Sequence, residues 1–282
     1  MNSVETPVRA FEFQTPWDKT ALRERRAGDI STVSIPTNIY HVSYTPEAKE
    51  VSLFFWGCNF SCRECLCKKN VYNYLITENL GLFDTEPTCV VNLPTRFLNL
   101  DELTDVLDGL DVSTVLLEGQ EASLDPAYLP ITEMLHKRYG TRNVLCTNAY
   151  RLPPLEHTDD VQISLKAFND ELHRHYTGKS NTRVFENVIN LYKSGKKISL
   201  ASLLIPDYIT ASEIERLAEF VGGVDKNIPF HILAFFKAYS SQWRRPAPGE
   251  MEEAGVLARR HLNRVWAWTG KEKMTCEVLR IV

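Results

Sequence analysis

The 282-residue sequence has no run of about 18 consecutive apolar residues, and its N-terminus is not a basic stretch followed by an apolar one. Neither a membrane-spanning helix nor a secretory signal is expected, and the reading is of a cytoplasmic protein. A strong excess of one charge is also missing. The 32 Lys and Arg residues face 36 Asp and Glu, for a net charge of −4, so nothing draws the chain generally to nucleic acid or anionic lipid. The first 47 residues hold no cysteine and no internal repeat, so they add neither a cluster nor a repeat architecture. The cysteine total is seven, an odd number that argues against a disulfide framework and agrees with a reducing compartment.

What is present is a chain rich enough in apolar residues, at 44%, to bury one substantial core. Short apolar runs at 51–56, 113–117, 143–146, 161–165, 198–205 and 230–236 read as six strands. Between them, helical spacing appears at 100–110, 127–139, 183–192 and 212–221. Ser212-Glu213-Ile214-Glu215 reads as a capping box at the start of the last of these. Apolar residues at helical spacing between Pro246 and Trp268 suggest a further, covering helix. Strands that alternate with helices imply a parallel sheet, and the apolar runs suit one buried on both faces. The expected fold is α/β, a partial (β/α)6 TIM-like barrel with parallel strands. The expected divisions are an N-terminal extension over 1–47, the barrel over 48–240 and a helical extension over 241–282.

The strongest chemical signal is Cys58, Cys62 and Cys65, spaced C-x3-C-x2-C directly after the first of these apolar runs. Three thiolates in one short loop can each take one iron of a [4Fe–4S] cube and leave the fourth iron open. Cys67 offers a fourth thiol, so a structural zinc site is the rival. A tetrahedral zinc site, however, usually draws ligand pairs from separate segments. Cys67 itself, and the dispersed Cys89, Cys146 and Cys276, read by default as small packed residues.

This cysteine run resembles the signature of the radical S-adenosylmethionine (SAM) enzymes. Phe54-Phe55-Trp56-Gly57-Cys58-Asn59 most resembles the glycyl-radical-enzyme activases of the pyruvate formate-lyase type and their relatives. The resemblance covers about residues 48–268. Gly119-Gln120-Glu121-Ala122, after Glu118, is similar to the Gly-Gly-Glu-Pro segment that borders the SAM amino group, with Gly119 and Glu121 in register, Gln120 in place of the second glycine and Ala122 in place of the proline. Thr147-Asn148-Ala149 is similar to the family's Thr-Asn-Gly. Ser164-Leu165-Lys166 stands where activases carry Asp-x-Lys, a departure that leaves Glu121 or Glu118 as a candidate acid for the SAM ammonium. Asn169-Asp170-Glu171-Leu172-His173, Thr177-Gly178 and Ser180-Asn181 resemble a further activase stretch, read physically as a polar, turn-rich lid, with helix caps and turn formers as the equal alternative for Thr177, Gly178 and Asn181 and a structural role for His173. His231 resembles a histidine near the adenosine half of SAM.

The resemblance thus implies one [4Fe–4S] cluster on Cys58, Cys62 and Cys65. It implies a SAM site drawn from Gly119, Glu121, Asn148, Ser164, Lys166 and His231. It implies reductive cleavage of SAM to a 5′-deoxyadenosyl radical for hydrogen abstraction, with a flavodoxin- or ferredoxin-like electron donor. The partner in that analogy is a glycyl radical enzyme. The same core acting on another protein or small molecule is the alternative, followed by a cluster electron-transfer protein and a zinc-binding module.

Overall fold

The computed structural model describes residues 34–69, 94–236, 241–273 and 275–282. Residues 1–33, most of the expected N-terminal extension, and Cys89 lie outside the described residues. All six expected strands form: β2 (Glu50–Phe55), β3 (Thr114–Gly119), β4 (Arg142–Thr147), β5 (Asp160–Leu165), β6 (Lys197–Leu204) and β7 (Phe230–Ala234). They are parallel neighbours in chain order. Three further strands extend the sheet. β1 (Ile39–Thr45) pairs antiparallel with β2, β8 (Val265–Trp268) runs parallel to β7, and β9 (Leu279–Arg280) pairs antiparallel with β1. The order is β8-β7-β6-β5-β4-β3-β2-β1-β9, with no reversal within the parallel part, which is the winding of a barrel left open between β8 and β9. The sheet therefore runs across residues 47/48 and 240/241.

The helices are α1 (Leu66–Lys69), α2 (Leu100–Leu107), α3 (Tyr128–Met134), α4 (Asp170–Thr177), α5 (Thr182–Lys193), α6 (Ala211–Val224) and α7 (Pro248–Arg259). Asn99 caps α2 in a capping box with Glu102. α3 continues as a π-helical turn over Leu135–Tyr139 and is stopped by Gly140 in the left-handed conformation. No helix among the described residues is long and apolar enough to cross a membrane.

Three expectations are corrected. The apolar spacing at 246–268 is helical only to Arg259, because Val265-Trp266-Ala267-Trp268 alternates with period two and forms β8. The polar stretch read as a turn-rich lid is mostly the helix α4, capped by Asn169 through Leu172 N–H, and Gly178 and Asn181 take the cap positions of the alternative reading. At α6 the N-cap is Thr210 and Ser212-Glu213 forms no capping box. Glu213 instead reaches across to accept the backbone N–H groups of Phe168 and Asn169 at 2.9 and 3.0 Å.

The strands are not apolar on both faces, and this places the site. Paired residues on neighbouring strands point the same way. Val51, Leu53, Phe55, Val115, Leu117, Leu145, Ile163, Leu200 and Ile232 share one face and are buried in one cluster with helical residues such as Leu103, Ile131, Val188 and Leu217. The alternate residues form the other face: Ser52, Glu118, Cys146, Gln162, Ser164, Ala201, His231 and Trp266. That second face is largely polar and forms the inner wall of the open barrel.

Candidate active site

β2 leads straight into the cysteine loop at the C-terminal end of the sheet, where α/β barrels carry their chemistry. Gly57 and Glu64 take positive φ values of 104° and 57°, so the loop turns sharply around Cys58, Cys62 and Cys65, all partly buried. The loop is fixed from two sides. Ser61 N–H and Arg63 N–H donate to the carbonyls of Thr177 and Tyr176 at 2.8 and 2.9 Å, and Arg63 Nε donates to the His175 carbonyl at 2.8 Å. These are the last carbonyls of α4, which have no helical partner. From the other side, Asn148 at the end of β4 donates through Nδ2 to Asn59 Oδ1 at 2.7 Å and to Cys58 Sγ at 3.6 Å. Phe60 N–H also donates to Cys58 Sγ, at 3.3 Å.

Cys58, Cys62 and Cys65 are thiols on this one loop. Among the described residues, no group of three or more His, Cys, Asp or Glu side chains could hold a single metal ion. A cubane takes one thiolate per iron at separate corners, and N–H donors beside a cluster thiolate tune its potential. The chemistry of this donor set therefore fits an iron–sulfur cluster. Cys67 hydrogen bonds to Cys65, and that bond, followed by burial, pushes its thiol well above the ordinary range.

The end of β3 carries the second part of the site. Gly119 has φ +96°, and a Cβ there would lie 2.7 Å from Phe55 N and 2.9 Å from Phe55 O, so β2 and β3 approach closely only because this residue is glycine. Gln120 N–H donates to the Phe55 carbonyl at 2.9 Å, and Gln120 Oε1 accepts Gly57 N–H at 3.2 Å. The other half of that amide, Nε2, is buried without a hydrogen-bond partner among the described residues, as is Asn59 Nδ2. Two unfilled N–H donors beside the cysteine loop suit a carboxylate or another acceptor of a bound ligand. Reading the sequence alone missed Gln120, because it looked only like a lost glycine. No pattern signal marked it.

Glu121 is turned into the protein. It accepts Ser123 Oγ, Thr147 Oγ1 and Asn148 N–H at 2.5, 2.6 and 2.9 Å. Burial raises its pKa and these bonds oppose the rise. It thus braces the ends of β3 and β4 and positions Asn148. Glu118 faces the inner wall, where burial pushes its carboxyl up to about 7 against a hydrogen bond from Ser52. Lys166 Nζ donates to Ser164 Oγ at 3.0 Å, so the two residues form a joined pair on that wall. His173 is buried, hydrogen bonded to the Lys179 carbonyl and edge-on to Phe60 with centroids 5.5 Å apart, a structural role beneath the cysteine loop.

His231 lies in the same cross-strand row as Ser164, linked by the pairs Ser164–Ala201, Ala201–His231 and His231–Trp266. Its ring stacks on Trp266 with centroids 5.0 Å apart, and Trp268 Nε1 donates to its Nδ1 at 3.1 Å. Burial, and then Arg264, lowers its pKa. The structure thus joins Cys58, Asn148 and Glu121 in one bonded group, pairs Ser164 with Lys166, and sets His231 two strands away from that pair.

Residues 53–221, more than half of the chain, match the family model of the radical SAM superfamily. The chain is 31% identical over 200 residues to the pyruvate formate-lyase 1-activating enzyme of Escherichia coli, covering 65% of this chain and 75% of that one. It is 25% identical over 238 residues to a Methanocaldococcus jannaschii protein named as a glycyl-radical enzyme activating enzyme, covering 79% and 82%. A radical SAM methyltransferase from Sphaerobacter thermophilus superposes with a TM-score of 0.55 at 13% identity, over 84% of this chain and 72% of that one. At that identity the likeness is one of fold.

Proposed function

The chain belongs to the radical SAM superfamily, and we propose that it works as an activating enzyme that removes a hydrogen atom from a backbone glycine of a glycyl radical partner. The superfamily's cofactors, a [4Fe–4S] cluster and SAM, supply an electron when bound and, through reductive cleavage of the S–C5′ bond, the 5′-deoxyadenosyl radical that takes the hydrogen. The rest falls to the chain's own residues.

Cys58, Cys62 and Cys65 hold the cluster, and Cys67 does not. Phe60 N–H and Asn148 Nδ2 donate to Cys58 Sγ and tune that thiolate. Gln120 Nε2 and Asn59 Nδ2 give their unfilled N–H groups to the carboxylate end of SAM. Lys166, steadied by Ser164, adds a positive charge on the same wall. Gly119 contributes the close backbone approach, and Glu121 acts through Asn148. His231 serves the adenosine half. The electron comes from a flavodoxin- or ferredoxin-like donor.

The observation that carries this reading is the cysteine loop, docked on α4 and hydrogen bonded at Cys58 Sγ, at the end of the sheet that holds the other candidate residues. The assignment of a protein substrate is supported by the two activating-enzyme relatives. The test is to combine reduced protein, SAM and a candidate glycyl radical enzyme without oxygen and to record the electron paramagnetic resonance spectrum of the partner. A glycine-centred radical on the partner is expected. SAM consumption with no such radical on any glycyl radical enzyme tried would move the assignment to another substrate of the same core.

A further inference from the structure

β7 and β8 place three rings together on the inner wall at the open edge of the barrel. His231 is stacked on Trp266 at 5.0 Å with a 15° tilt, and lies 6.3 Å from Trp268 with a 21° tilt. The Arg264 guanidinium sits 5.7 Å from the Trp266 ring centroid and supports it from beside the stack. Trp266 and Trp268 are 38% and 40% exposed, although β8 is an edge strand. Large exposed indoles on an edge are a liability that a fold keeps for a reason.

The hydrogen bond within this group decides a proton position. An indole N–H can only donate. Because Trp268 Nε1 donates to His231 Nδ1 at 3.1 Å, Nδ1 must be the bare nitrogen, and the single hydrogen of the uncharged ring is on Nε2. His231 Nε2 has no hydrogen-bond partner among the described residues. The ring belongs to the row that contains Ser164, on the polar face of the sheet.

We propose that Trp268 is a positioning residue, whose indole N–H fixes the His231 tautomer so that Nε2–H is presented to the barrel interior as a donor to an acceptor atom of bound SAM. This rests on the reading that SAM occupies the inner wall. Trp266 fixes the plane of the ring and Trp268 fixes its proton. Trp268 and His231 both lie beyond residues 53–221, the segment that matches the family model.

The experiment uses the anaerobic, cluster-loaded protein. Nitrogen-15 spectra of the imidazoles should show, between pH 6.5 and 8, one histidine with bare Nδ1 and protonated Nε2 that disappears in His231→Gln. Trp268→Phe keeps a ring and removes only the donor, and should move the His231 signals toward a tautomer mixture. In SAM titrations, Trp268→Phe should weaken binding about five-fold, the worth of one hydrogen bond. Glutamine places an amide N–H near the position of Nε2 and has no tautomer to fix. His231→Gln loses the stacked imidazole and should weaken SAM binding by itself, and adding Trp268→Phe to it should weaken binding no further. Thermal melts of each variant confirm folding. Unchanged His231 signals in Trp268→Phe overturn the proposal, as does an equal loss of affinity in the His231→Gln background. A parent protein that loads its cluster and binds no SAM fails at the functional reading instead, and the donor role falls with it.

Discussion

Ser61 donates its backbone N–H to the carbonyl of Thr177 at 2.8 Å. Two segments more than 100 residues apart in sequence thereby complete each other: the cysteine loop gains a rigid seat, and the C-terminus of α4 gains the donors that a helix end lacks. The polar stretch after β5 therefore seats the cysteine loop.

Gly178 ends α4 with φ +79°, and a Cβ there would meet Ser61 Cβ at 3.8 Å, an ordinary contact. Gly178→Val should cost about 1–2 kcal/mol through backbone conformation alone and loosen the seat. Iron per chain after reconstitution should fall, and its loss to a chelator should quicken. Gly178→Asn, which tolerates the left-handed region, should largely restore both. Parent-like iron retention in Gly178→Val would show that the seat does not matter.

Gly119 and Gly57 separate two kinds of glycine requirement. Both have positive φ, but a Cβ at Gly119 meets backbone atoms of Phe55, whereas one at Gly57 meets nothing within 4 Å. Gly119→Ala should lose about 2–4 kcal/mol because β2 has to move, and Gly57→Ala only about 1 kcal/mol. Urea unfolding of the two variants gives the comparison, and equal losses would contradict it.

Glu121 is 1% exposed and accepts three hydrogen bonds. Glu121→Ala would leave Thr147 Oγ1 and Asn148 N–H without that acceptor and should destabilise the fold by about 3 kcal/mol. Its effect on SAM binding should follow the displacement of Asn148, so Asn148→Ala should reproduce the binding loss with a smaller change in stability. A Glu121 variant of parent stability that nonetheless loses SAM would make the carboxylate a direct ligand.

His41 is fully buried against Val282, and its pKa is lowered to about 4, chiefly by burial, with the Val282 carbonyl opposing and nearby Arg280 adding to the fall. Because the folded value lies below the ordinary 6.5, this contribution to stability is complete above about pH 6.5 and is lost as pH falls toward 4. The loss should reach about 3 kcal/mol, since each pKa unit corresponds to about 1.4 kcal/mol. His41→Asn should flatten the melting temperature between pH 7 and 4.5. An unchanged slope would remove His41 from the acid sensitivity.

The parallel strands were legible because apolar runs of four to eight residues recur between helical spacings, and the cysteine loop was legible from spacing alone. The polar inner face was not. Glu118, Cys146, Gln162 and Ser164 are single polar residues inside otherwise apolar runs, and only the register shows that they share a wall. β1 was missed because Ile39–Thr45 lies before the segment that carries the resemblance, and β8 because Leu262 and Val265 continue the helical spacing of Met251, Ala254, Leu257 and Ala258. Glu213 and Gln120 were read from their neighbours in sequence. Both act on residues far away in the chain, Phe168 and Asn169 for the first and Gly57 for the second, and no local pattern carries that information.

The central claim is a cluster held by Cys58, Cys62 and Cys65 that serves SAM cleavage. The most direct measurement reconstitutes the parent protein and the four variants Cys58→Ala, Cys62→Ala, Cys65→Ala and Cys67→Ala without oxygen, counts iron, reduces with dithionite and quantifies 5′-deoxyadenosine formed from SAM. The account predicts iron and 5′-deoxyadenosine in the parent and in Cys67→Ala, and neither in the other three. A cluster that survives loss of Cys58, Cys62 or Cys65 but not of Cys67, or a fully loaded and reduced parent that binds SAM and forms no 5′-deoxyadenosine, would contradict it.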